Sequence, residues 1–296
     1  MRVFIGLDGG GTGCRAQAEL EDGRRTEVRA GPAANVHSDP EGATHAIAAL
    51  LAAVLAEAQR LTPAQTLAPP QVVLGLAGAS ETGAEAMLRA TLPYPVLRVL
   101  GDIDIALKGA FGAVDGIVMA IGTGSVLAAQ RGGQMQRLGG YGFLLGDEGS
   151  GAWIGRTALS RALYAQDRLG PAGPLTDALW ARFSSVAQML AFAKSARPAD
   201  FAALAPAVLA HDRARCPVAG AILDAGCAYL LRAIVRLQAG RPDVPVAPMG
   251  GLGTALLGRI VAQGGAHLRT VTPKGNALDG ALWQARHGMP PKEEFA

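Results

Sequence analysis

Aromatic and charged residues are both scarce in this sequence. Phe, Trp and Tyr make up 5% of the 296 residues and charged residues 17%, whereas 50% are hydrophobic and 40 are glycine. The low aromatic content disfavours an aromatic-rich all-β sandwich, and the hydrophobic content excludes general disorder. The chain is long enough for one large domain or for two of about 140 residues. We expect a folded protein with closely packed helices and many tight turns.

Cysteine is also rare, and its spacing excludes several classes of site. The three cysteines, Cys14, Cys216 and Cys227, lie far apart and form no C-x-x-C pair. They therefore cannot build a disulfide framework. The five histidines have no spacing typical of zinc ligands. We expect reduced thiols in a cytosolic protein.

Blocks of one charge and long apolar runs are missing as well. The 27 basic residues, mostly arginine, are scattered, and the net charge is only +3. Such a distribution gives no basic surface for nucleic acid. The longest uncharged stretch, residues 61–80, contains three prolines, which a membrane helix does not tolerate well. The apolar run at residues 3–7 is too short for a secretory signal. We expect a cytoplasmic protein that binds neither nucleic acid nor membranes.

A strand, glycine turn, strand pattern occurs twice. Residues 3–7 and 14–20 flank the first turn, and residues 117–121 and 126–130 flank the second. This repeat predicts a duplicated α/β domain that begins with a strand. We predict an N-terminal domain over residues 1–114 and a C-terminal domain over 115–275. The second is helix-rich and includes a helix at 201–211, and a last helix at about 276–288 returns to the first domain.

Three glycine clusters have the composition of phosphate-binding loops. They are Gly9–Gly11 followed by Thr12, Gly122–Ser125, and Gly250–Thr254. Glycine lets backbone N–H groups approach an anion, and a helix that opens at the third cluster suits a nucleotide. Asp8, at a strand end, is placed to hold Mg²⁺ beside a phosphate. The alternative for the first cluster is a simple β-hairpin. Neither a Walker A motif nor a Rossmann fingerprint is present.

The ordered set of motifs resembles one family. The set is GLDGGGT at 6–12, IGTGS at 121–125, GGYG at 139–142 with GDEGSG at 146–151, and GGLG at 250–253. It resembles the BadF/BadG/BcrA/BcrD-type ATPases over nearly the whole chain, and most of all their N-acetylglucosamine kinases and bacterial glucosamine kinases. That family belongs to the actin/hexokinase/Hsp70 superfamily. The resemblance implies an α/β fold of two duplicated ribonuclease H-like (actin-like ATPase) domains with an interdomain cleft, and a homodimer.

The resemblance also implies an activity and a set of site residues. The activity is an ATP-dependent, Mg²⁺-dependent phosphorylation of the 6-hydroxyl of an amino sugar, N-acetylglucosamine or glucosamine. Asp102 is implied as the catalytic base and Asp8 as the metal ligand. The implied sugar contacts are Asn35, Asp102, Ser125, Gly140, Tyr141, Gly142 and Asp147. The implied ATP contacts are Gly10, Gly11, Thr12, Thr123, Gly124, Ala205, Gly250, Gly251, Leu252, Gly253 and Thr254. The sequence has His37 where animal N-acetylglucosamine kinases have Trp, so the same recognition of an acetyl group is not implied.

Two of these carboxylates have alternative interpretations. Phosphoryl transfer needs a group that orients or deprotonates the attacking hydroxyl, and Asp102 follows the predicted strand at 96–100. Asp104 competes for this role if the strand continues, because residues two apart then share a face. Either Asp could instead cap a helix that follows. In the loop at 146–151, Asp147 could contact a sugar, or Asp147 or Ser150 could cap the next helix.

Two other functions stay open at this stage. One is an ATPase that activates an acyl-CoA reductase or dehydratase, but such proteins carry an iron–sulfur cluster and the cysteine spacing does not suit one. The other is a sugar or nucleotide sensor without catalysis, for which loss of the catalytic acid would be expected, and Asp102 is present. The zinc-binding cysteine motif of the ROK sugar kinases is absent from the sequence.

Overall fold

The chain folds into two compact units. The computed structural model describes residues 1–10, 13–33, 36, 39–77, 84–94 and 96–288. Unit 1 comprises Met1–Gly116, Gln130–Gln134 and the chain from Thr272, and unit 2 comprises Ile117–Ala129 and Met135–Val271. Each unit has a sheet and a hydrophobic core of its own.

Unit 1 is a five-stranded sheet with helices. Its strands are β1 (Val3–Gly10), β2 (Gly13–Leu20), β3 (Arg29–Gly31), β4 (Gln71–Leu76) and β5 (Val96–Gly101). Its helices are α1 (Pro40–Leu61), α2 (Ala84–Thr91), α3 (Asp102–Phe111) and, from the C-terminal part of the chain, α11 (Ala277–His287). The strand order is β3-β2-β1-β4-β5, in which β1, β4 and β5 run parallel and β2 and β3 antiparallel to their neighbours.

Strand β1 extends further than its hydrophobic run. The sequence predicts a strand over residues 3–7 and a turn from Asp8, but β1 continues to Gly10. The reason is pairing, since Asp8 lies opposite Arg15 and Gly10 opposite Gly13 on β2, and Asp8 also lies beside Gly75 on β4. Asp8 is therefore held in the sheet rather than on a free turn.

Helix α11 packs closely on α3 because two glycines let the backbones meet. A Cβ atom at Gly109 would collide with the carbonyl group of Asn276, and one at Gly280 with the carbonyl group of Ile105. Around this contact Phe4, Val73 and Ala281 form a small buried cluster. The last helix thus completes the core of unit 1, and it fixes the orientation of the helix that begins at Asp102.

Unit 2 repeats the strand order of unit 1. Its strands are β6 (Gly116–Ile121), β7 (Ser125–Arg131), β8 (Gln134–Gly139) and β9 (Val246–Met249). Its helices are α4 (Gly151–Gln166), α5 (Pro174–Phe183), α6 (Val186–Ser195), α7 (Pro198–Ala202), α8 (Ala205–Arg213), α9 (Pro217–Gln238) and α10 (Gly251–Ala262). The order β8-β7-β6-β9 matches β3-β2-β1-β4, and β6 and β9 run parallel as β1 and β4 do. The expected duplication is visible in this shared order.

One helix that the sequence predicts is two separate helices in the structure. The prediction of a single helix over residues 201–211 was wrong, since α7 ends at Ala202 and α8 begins at Ala205. The break lies just before Pro206, which has no N–H group and fits only the first turn of a helix. Phe201, Leu204 and Val208 are all buried in the unit 2 core, which holds the two short helices at their angle.

Helices α1 and α9 are long and apolar enough to cross a membrane by length and composition alone. Core helices of soluble proteins pass the same test. Ile47 and Leu51 of α1 are fully buried in the unit 1 core, and Cys227 and Leu230 of α9 are fully buried in the unit 2 core. Packing within the units therefore accounts for the apolar faces of these helices.

Candidate active site

In unit 1, two acidic residues lie at the same edge of the sheet. Strands β1, β4 and β5 are parallel, so their carboxyl ends share an edge, the edge at which ligands bind in open α/β sheets. Asp8 is level with Gly75 on β4 and Leu100 on β5, and Asp102 lies just beyond the end of β5. With β4 between them, β1 and β5 are about 10 Å apart.

Asp102 and Asp104 have different surroundings. Strand β5 ends at Gly101 and helix α3 begins at Asp102, so the strand continuation that would align both carboxylates does not occur. The carboxylate of Asp104 accepts a hydrogen bond from the backbone N–H of Gly101 at 3.1 Å and so caps the helix. Asp102 is exposed, and its Oδ1 accepts the N–H of Ile103 at 2.8 Å. The structure leaves Asp102 more accessible than Asp104.

Asp8 is paired with an arginine that the sequence analysis missed. Nη2 of Arg15 lies 2.7 Å from Oδ2 of Asp8, and the Asp8 side chain is 19% exposed. The antiparallel register of β1 and β2, in which Gly10 lies opposite Gly13, places Asp8 opposite Arg15, so counting along the two strands would have found the pair. The arginine neutralises Asp8 and puts a guanidinium group at the same sheet edge.

A single carboxylate is compatible with magnesium on a nucleotide. Among the described residues, no group of three or more His, Cys, Asp and Glu side chains could hold a metal ion. Mg²⁺ that is carried by phosphates needs only one or two protein carboxylates and keeps several waters. The partly exposed Asp8 meets that requirement, while a metal cage built from described protein side chains alone is not present.

In unit 2, two glycine turns meet at one sheet edge. Strand β6 leads into the turn Gly122–Gly124, and its parallel neighbour β9 leads into Gly250. Gly250 has φ +80°, and a Cβ atom there would lie 2.6 Å from the carbonyl oxygen of Ile121. Only glycine fits this position comfortably.

The second of these turns opens a helix, as the sequence predicted. Helix α10 starts at Gly251, so the N–H groups of its first turn have no intrahelical partner and point out of the sheet edge. No atom lies within 4 Å of the Cβ position of Gly251. The N–H of Thr254 closes the first turn on the carbonyl oxygen of Gly250 at 3.3 Å. An open helix N-terminus of this kind favours negatively charged groups.

The Gly122–Gly124 turn is tied to helix α4. The N–H of Gly151 donates to the carbonyl oxygen of Gly122 at 2.8 Å, and the N–H of Ala152 to that of Thr123 at 3.1 Å. These bonds satisfy two of the free N–H groups at the start of α4. The turn is therefore rigidly positioned, with the Cβ position of Gly122 open to space.

Asp147 is a buried acid on a strained backbone. Its φ is +62°, it is 8% exposed, and its Oδ1 accepts the N–H of Ser125 at 3.3 Å. Burial raises the pKa of Asp147, and the nearby Glu148 adds to this, while the bond from Ser125 and the charge of Arg137 oppose it. Ser150 caps α4 by accepting the N–H of Trp153, so this role does not fall to the Asp147 side chain. The carboxylate keeps capacity for further hydrogen bonds from a ligand.

A glycine loop shares Ser125 with Asp147. Gly140 (φ +71°) donates its N–H to the carbonyl oxygen of Ser125 at 3.0 Å, and Gly142 has φ +82°. The hydroxyl of Ser125 in turn donates to the carbonyl oxygen of Glu148 at 3.0 Å. Tyr141, between the glycines, is 71% exposed. The structure thus brings together Ser125, residues 140–142 and Asp147, all five of the unit 2 residues expected to contact a sugar.

Other expected site residues have different outcomes. Gly11, Thr12 and Asn35 lie outside the described residues, as does His37. Ala205 begins α8, and its side chain is buried in the unit 2 core. A contact between Ala205 and a nucleotide could therefore involve only its backbone, and this role stays a prediction.

Sequence reasoning also missed an aromatic neighbour of the glycine loop. The hydroxyl oxygen of Tyr229, on α9, lies 3.4 Å from the Cβ position of Gly139. Burial raises the pKa of Tyr229, and the charges of Glu148 and Asp147 act in the same direction. The apolar sequence around Tyr229 gave no signal, because only the fold brings the helix to this loop.

Comparisons with known proteins agree with this architecture. A family profile described as the BadF/BadG/BcrA/BcrD ATPase family matches residues 5–272. The glucosamine kinase of Vibrio cholerae is 29% identical over 240 residues, which cover 80% of this chain and 81% of that protein. A solved structure of a candidate N-acetylglucosamine kinase from Chromobacterium violaceum is 32% identical, covers 96% of this chain and 99% of that one, and has a TM-score of 0.82.

A more distant structure shares the fold alone. The ROK family glucokinase from Streptomyces griseus, solved with glucose and AMPPNP, is 16% identical with a TM-score of 0.55, and the match covers 96% of this chain and 98% of that one. The two mixed α/β sheets and these likenesses confirm the expected class, a two-domain actin-like ATPase fold. The family resemblance seen in the motifs is confirmed too, and the chain belongs to the BadF/BadG/BcrA/BcrD ATPase family.

Proposed function

We propose that this protein is an ATP-dependent kinase that transfers the γ-phosphoryl group to the 6-hydroxyl of an amino sugar, glucosamine or N-acetylglucosamine. The observation that carries the proposal is the arrangement of Asp147, Ser125 and residues 140–142 around one small polar site beside two glycine turns. Kinases of amino sugars among the relatives support the choice of acceptor.

Residues at the sheet edge of unit 1 would carry out the proton transfer of the reaction. Asp102 is exposed at the start of α3, so its carboxylate is free to accept the proton of the attacking hydroxyl. Asp102 also lies within the first turn of this helix. Asp104 caps the helix and holds this first turn in place.

The nucleotide phosphates would be held mainly by backbone groups. Thr123 and Gly124 lie on one turn, and residues 250–254 on the other would contribute the unpaired N–H groups of the first turn of α10, with the hydroxyl of Thr254 leaving the carbonyl oxygen of Gly250 to bind a phosphate. Gly10, Gly11 and Thr12 would also contact the nucleotide. Mg²⁺, when bound with the nucleotide, neutralises phosphate charge, and Asp8 is the residue that would hold it. Arg15 must then leave Asp8 or approach the phosphates itself.

Recognition of the sugar would depend on Asp147. A buried carboxylate with a raised pKa gains most from hydrogen bonds donated by two neighbouring hydroxyls, because these favour its charged form. The positive φ values of Gly140 and Gly142 expose backbone groups of the loop to the same ligand. Asn35 would complete the sugar contacts.

A panel of acceptors tests the function. ADP release is measured with ATP and Mg²⁺ in the presence of glucosamine, N-acetylglucosamine, N-acetylmuramic acid, glucose or no sugar. We expect one or both of the first two sugars to raise the rate at least a hundredfold above the sugar-free rate. A rate that no sugar changes would contradict the kinase and favour an ATPase or a sensor. Iron analysis of the same preparation separates the ATPase activators, which carry a cluster.

We also propose a cytoplasmic homodimer. Leu144 and Leu145, each 85% exposed, line an apolar groove of about 880 Å³ on unit 2 together with Met189 and Phe201. A second copy would cover these side chains. Light scattering of the intact protein should give twice the chain mass of 30.2 kDa, and Leu144→Glu with Leu145→Glu should give a monomer. A monomeric wild-type protein at micromolar concentration would contradict the dimer.

A further inference from the structure

Unit 1 contains a cavity far along α3 from Asp102. It has a volume of about 640 Å³ and lies at the C-terminal end of the helix, next to α11. Phe111, Val114 and Leu282 form apolar parts of its wall. Nothing in the proposed phosphoryl transfer uses this cavity, although the helix that begins at Asp102 forms part of its lining.

The lining of the cavity has more positive than negative charge. Among its described residues are four Lys and Arg side chains and two carboxylates: Arg25, Lys108, Lys274, Arg286, Glu19 and Asp279. The two arginines are already compensated. Arg25 pairs with Glu19 at 2.8 Å and with Asp279 at 2.9 Å, and Arg286 pairs with Glu19 as well. Both carboxylates are thus engaged by arginines.

Lys108 is a buried cation without a carboxylate partner among the described residues. It is 6% exposed, and its Nζ donates to Oε1 of Gln130 and lies 5.2 Å from the ring centre of Trp283. The amide nitrogen of Gln130 donates to the carbonyl oxygens of Gly112 and Val114, so the amide oxygen is fixed toward the lysine. Burial lowers the pKa of Lys108. A buried ammonium group with only neutral partners is costly unless an anion joins it.

Lys274 is a second cation at the same cavity. It is exposed and forms no ion pair within the described part of the chain. Its backbone N–H donates to the carbonyl oxygen of Ala110 at 3.1 Å, which fixes the start of its side chain at the end of α3. The cavity is therefore lined by two cations, one buried and one exposed, that pair with no carboxylate of the described residues.

We propose that this cavity is a binding site for a small dianion, inorganic phosphate or a phosphate monoester. The charge of the ligand matches the two lysines, and the apolar wall of Phe111, Val114 and Leu282 accommodates the carbon skeleton of an ester. Lys108 contacts the anion, and Lys274 closes over it from the solvent side. The site is independent of the proposed kinase activity.

Calorimetry with the intact protein tests the site. The titrants are inorganic phosphate, glucosamine 6-phosphate and acetate, each in the presence of saturating AMPPNP and Mg²⁺ so that any phosphate site at the glycine turns is filled. We expect one phosphate or sugar phosphate per chain and at least tenfold weaker binding of acetate. If inorganic phosphate binds more tightly than glucosamine 6-phosphate, the natural ligand is free phosphate, and if it binds more weakly, the natural ligand is a phosphate monoester. Acetate binding equal to that of both phosphates, or no binding with AMPPNP present, overturns the proposal.

Substitutions of the two lysines test whether these side chains bind the phosphate. Lys108→Met keeps the length of the side chain without its charge and should weaken phosphate binding at least tenfold, and Lys274→Met about threefold to tenfold. Lys194→Met, an exposed lysine on α6 of unit 2, is the matched control and should bind as wild type. If Lys108→Met does not fold, the test uses Lys274→Met and a phosphate-induced change of tryptophan fluorescence that the wild type shows and Trp283→Phe does not. Wild-type affinity in either lysine variant that folds, or no fluorescence change, overturns the proposal.

Discussion

The two units present the same sheet edge with opposite chemistry. In unit 1, the edge carries carboxylates, Asp8 in the sheet and Asp102 exposed at a helix start. In unit 2, the corresponding strands lead into glycine turns, and Asp147 is buried and hydrogen-bonded. The duplicated strand order therefore gives each unit a corresponding sheet edge, while the residues that follow the strands give each edge its own chemistry. Exposed carboxylates suit proton and metal chemistry, and open backbone N–H groups suit phosphates.

The largest effect should come from the exposed carboxylate. Asp102→Asn removes the proton acceptor and should lower kcat by about 10²–10⁴-fold, with little change in nucleotide affinity. Asp104→Asn is the control on the same helix turn. It should cost about 1 kcal/mol of stability as a weakened cap and leave kcat within a few-fold. Steady-state kinetics and equilibrium binding of AMPPNP measure both variants, and a large loss of kcat in Asp104→Asn alone would reverse the assignment.

Substitution of a glycine at the unit 2 sheet edge should have the second-largest effect, a loss of stability and of nucleotide affinity. Gly250→Ala places a Cβ atom against the carbonyl oxygen of Ile121 at a φ of +80°, which should cost about 1–3 kcal/mol in the free energy of unfolding and weaken AMPPNP binding. Gly251→Ala has open space at its Cβ position and should change stability by less than about 1 kcal/mol. Thermal unfolding compares the two adjacent variants. Equal losses would show that the turn is not held against β6 as described.

The buried carboxylate should give a pH-dependent effect. Folding raises the pKa of Asp147 by burial, so the native state binds a proton more readily than the unfolded state, and stability from this group is lost as pH rises through the raised pKa. Asp147→Asn should therefore stabilise the protein at pH 7 by up to about 1–2 kcal/mol, with a smaller difference near pH 4. Asn tolerates the left-handed backbone.

The same variant, Asp147→Asn, should also change the kinetics of the reaction. Asp147→Asn should raise the sugar KM more than it lowers kcat, the reverse of the pattern for Asp102→Asn. Urea unfolding from pH 4 to pH 7 and kinetics on the same variant check both halves. A variant that is less stable at pH 7 than at pH 4, relative to wild type, contradicts the burial argument.

The smallest effect should come from the ion pair at Asp8. Arg15→Gln removes an exposed pair and should change the free energy of unfolding by less than about 1 kcal/mol. Arg2→Gln breaks a comparable exposed pair with Glu21 near the opposite end of β1 and serves as the control. Only Arg15→Gln should change the Mg²⁺ concentration needed for half-maximal rate. The same Mg²⁺ dependence in both variants would show that Arg15 has no influence on the binding of Mg²⁺.

Much of the fold and the outline of the site followed from local sequence signals. The glycine cluster at 250–253 predicted a helix start, and α10 begins there because glycine alone accepts the backbone of Gly250. The repeated hairpins predicted two similar sheets. Strands β3 and β8 were not predicted, since β3 has three residues and the sequence of β8, QMQRLG, lacks a clear apolar face.

Other features depended on partners distant in sequence. Asp102 and Asp104 have the same preference for a helix cap, and only the end of β5 at Gly101 decided which residue caps α3. The contact of α3 with α11 brings together residues far apart in the chain, such as Gly109 and Gly280, so no local pattern reveals it. The charge on Lys108 looks ordinary in sequence and becomes unusual only when Trp283 and Gln130 cover it.

The proposed kinase activity is tested by identifying the atom that receives the phosphoryl group. The protein is incubated with ATP, Mg²⁺ and either glucosamine or N-acetylglucosamine, in parallel with the 6-deoxy form of each sugar, and products are followed by ³¹P NMR. Transfer to the 6-hydroxyl should give a 6-phosphate ester from at least one natural sugar and no ester from its 6-deoxy form. Phosphate on another position, or free phosphate as the only product in every reaction, would contradict it.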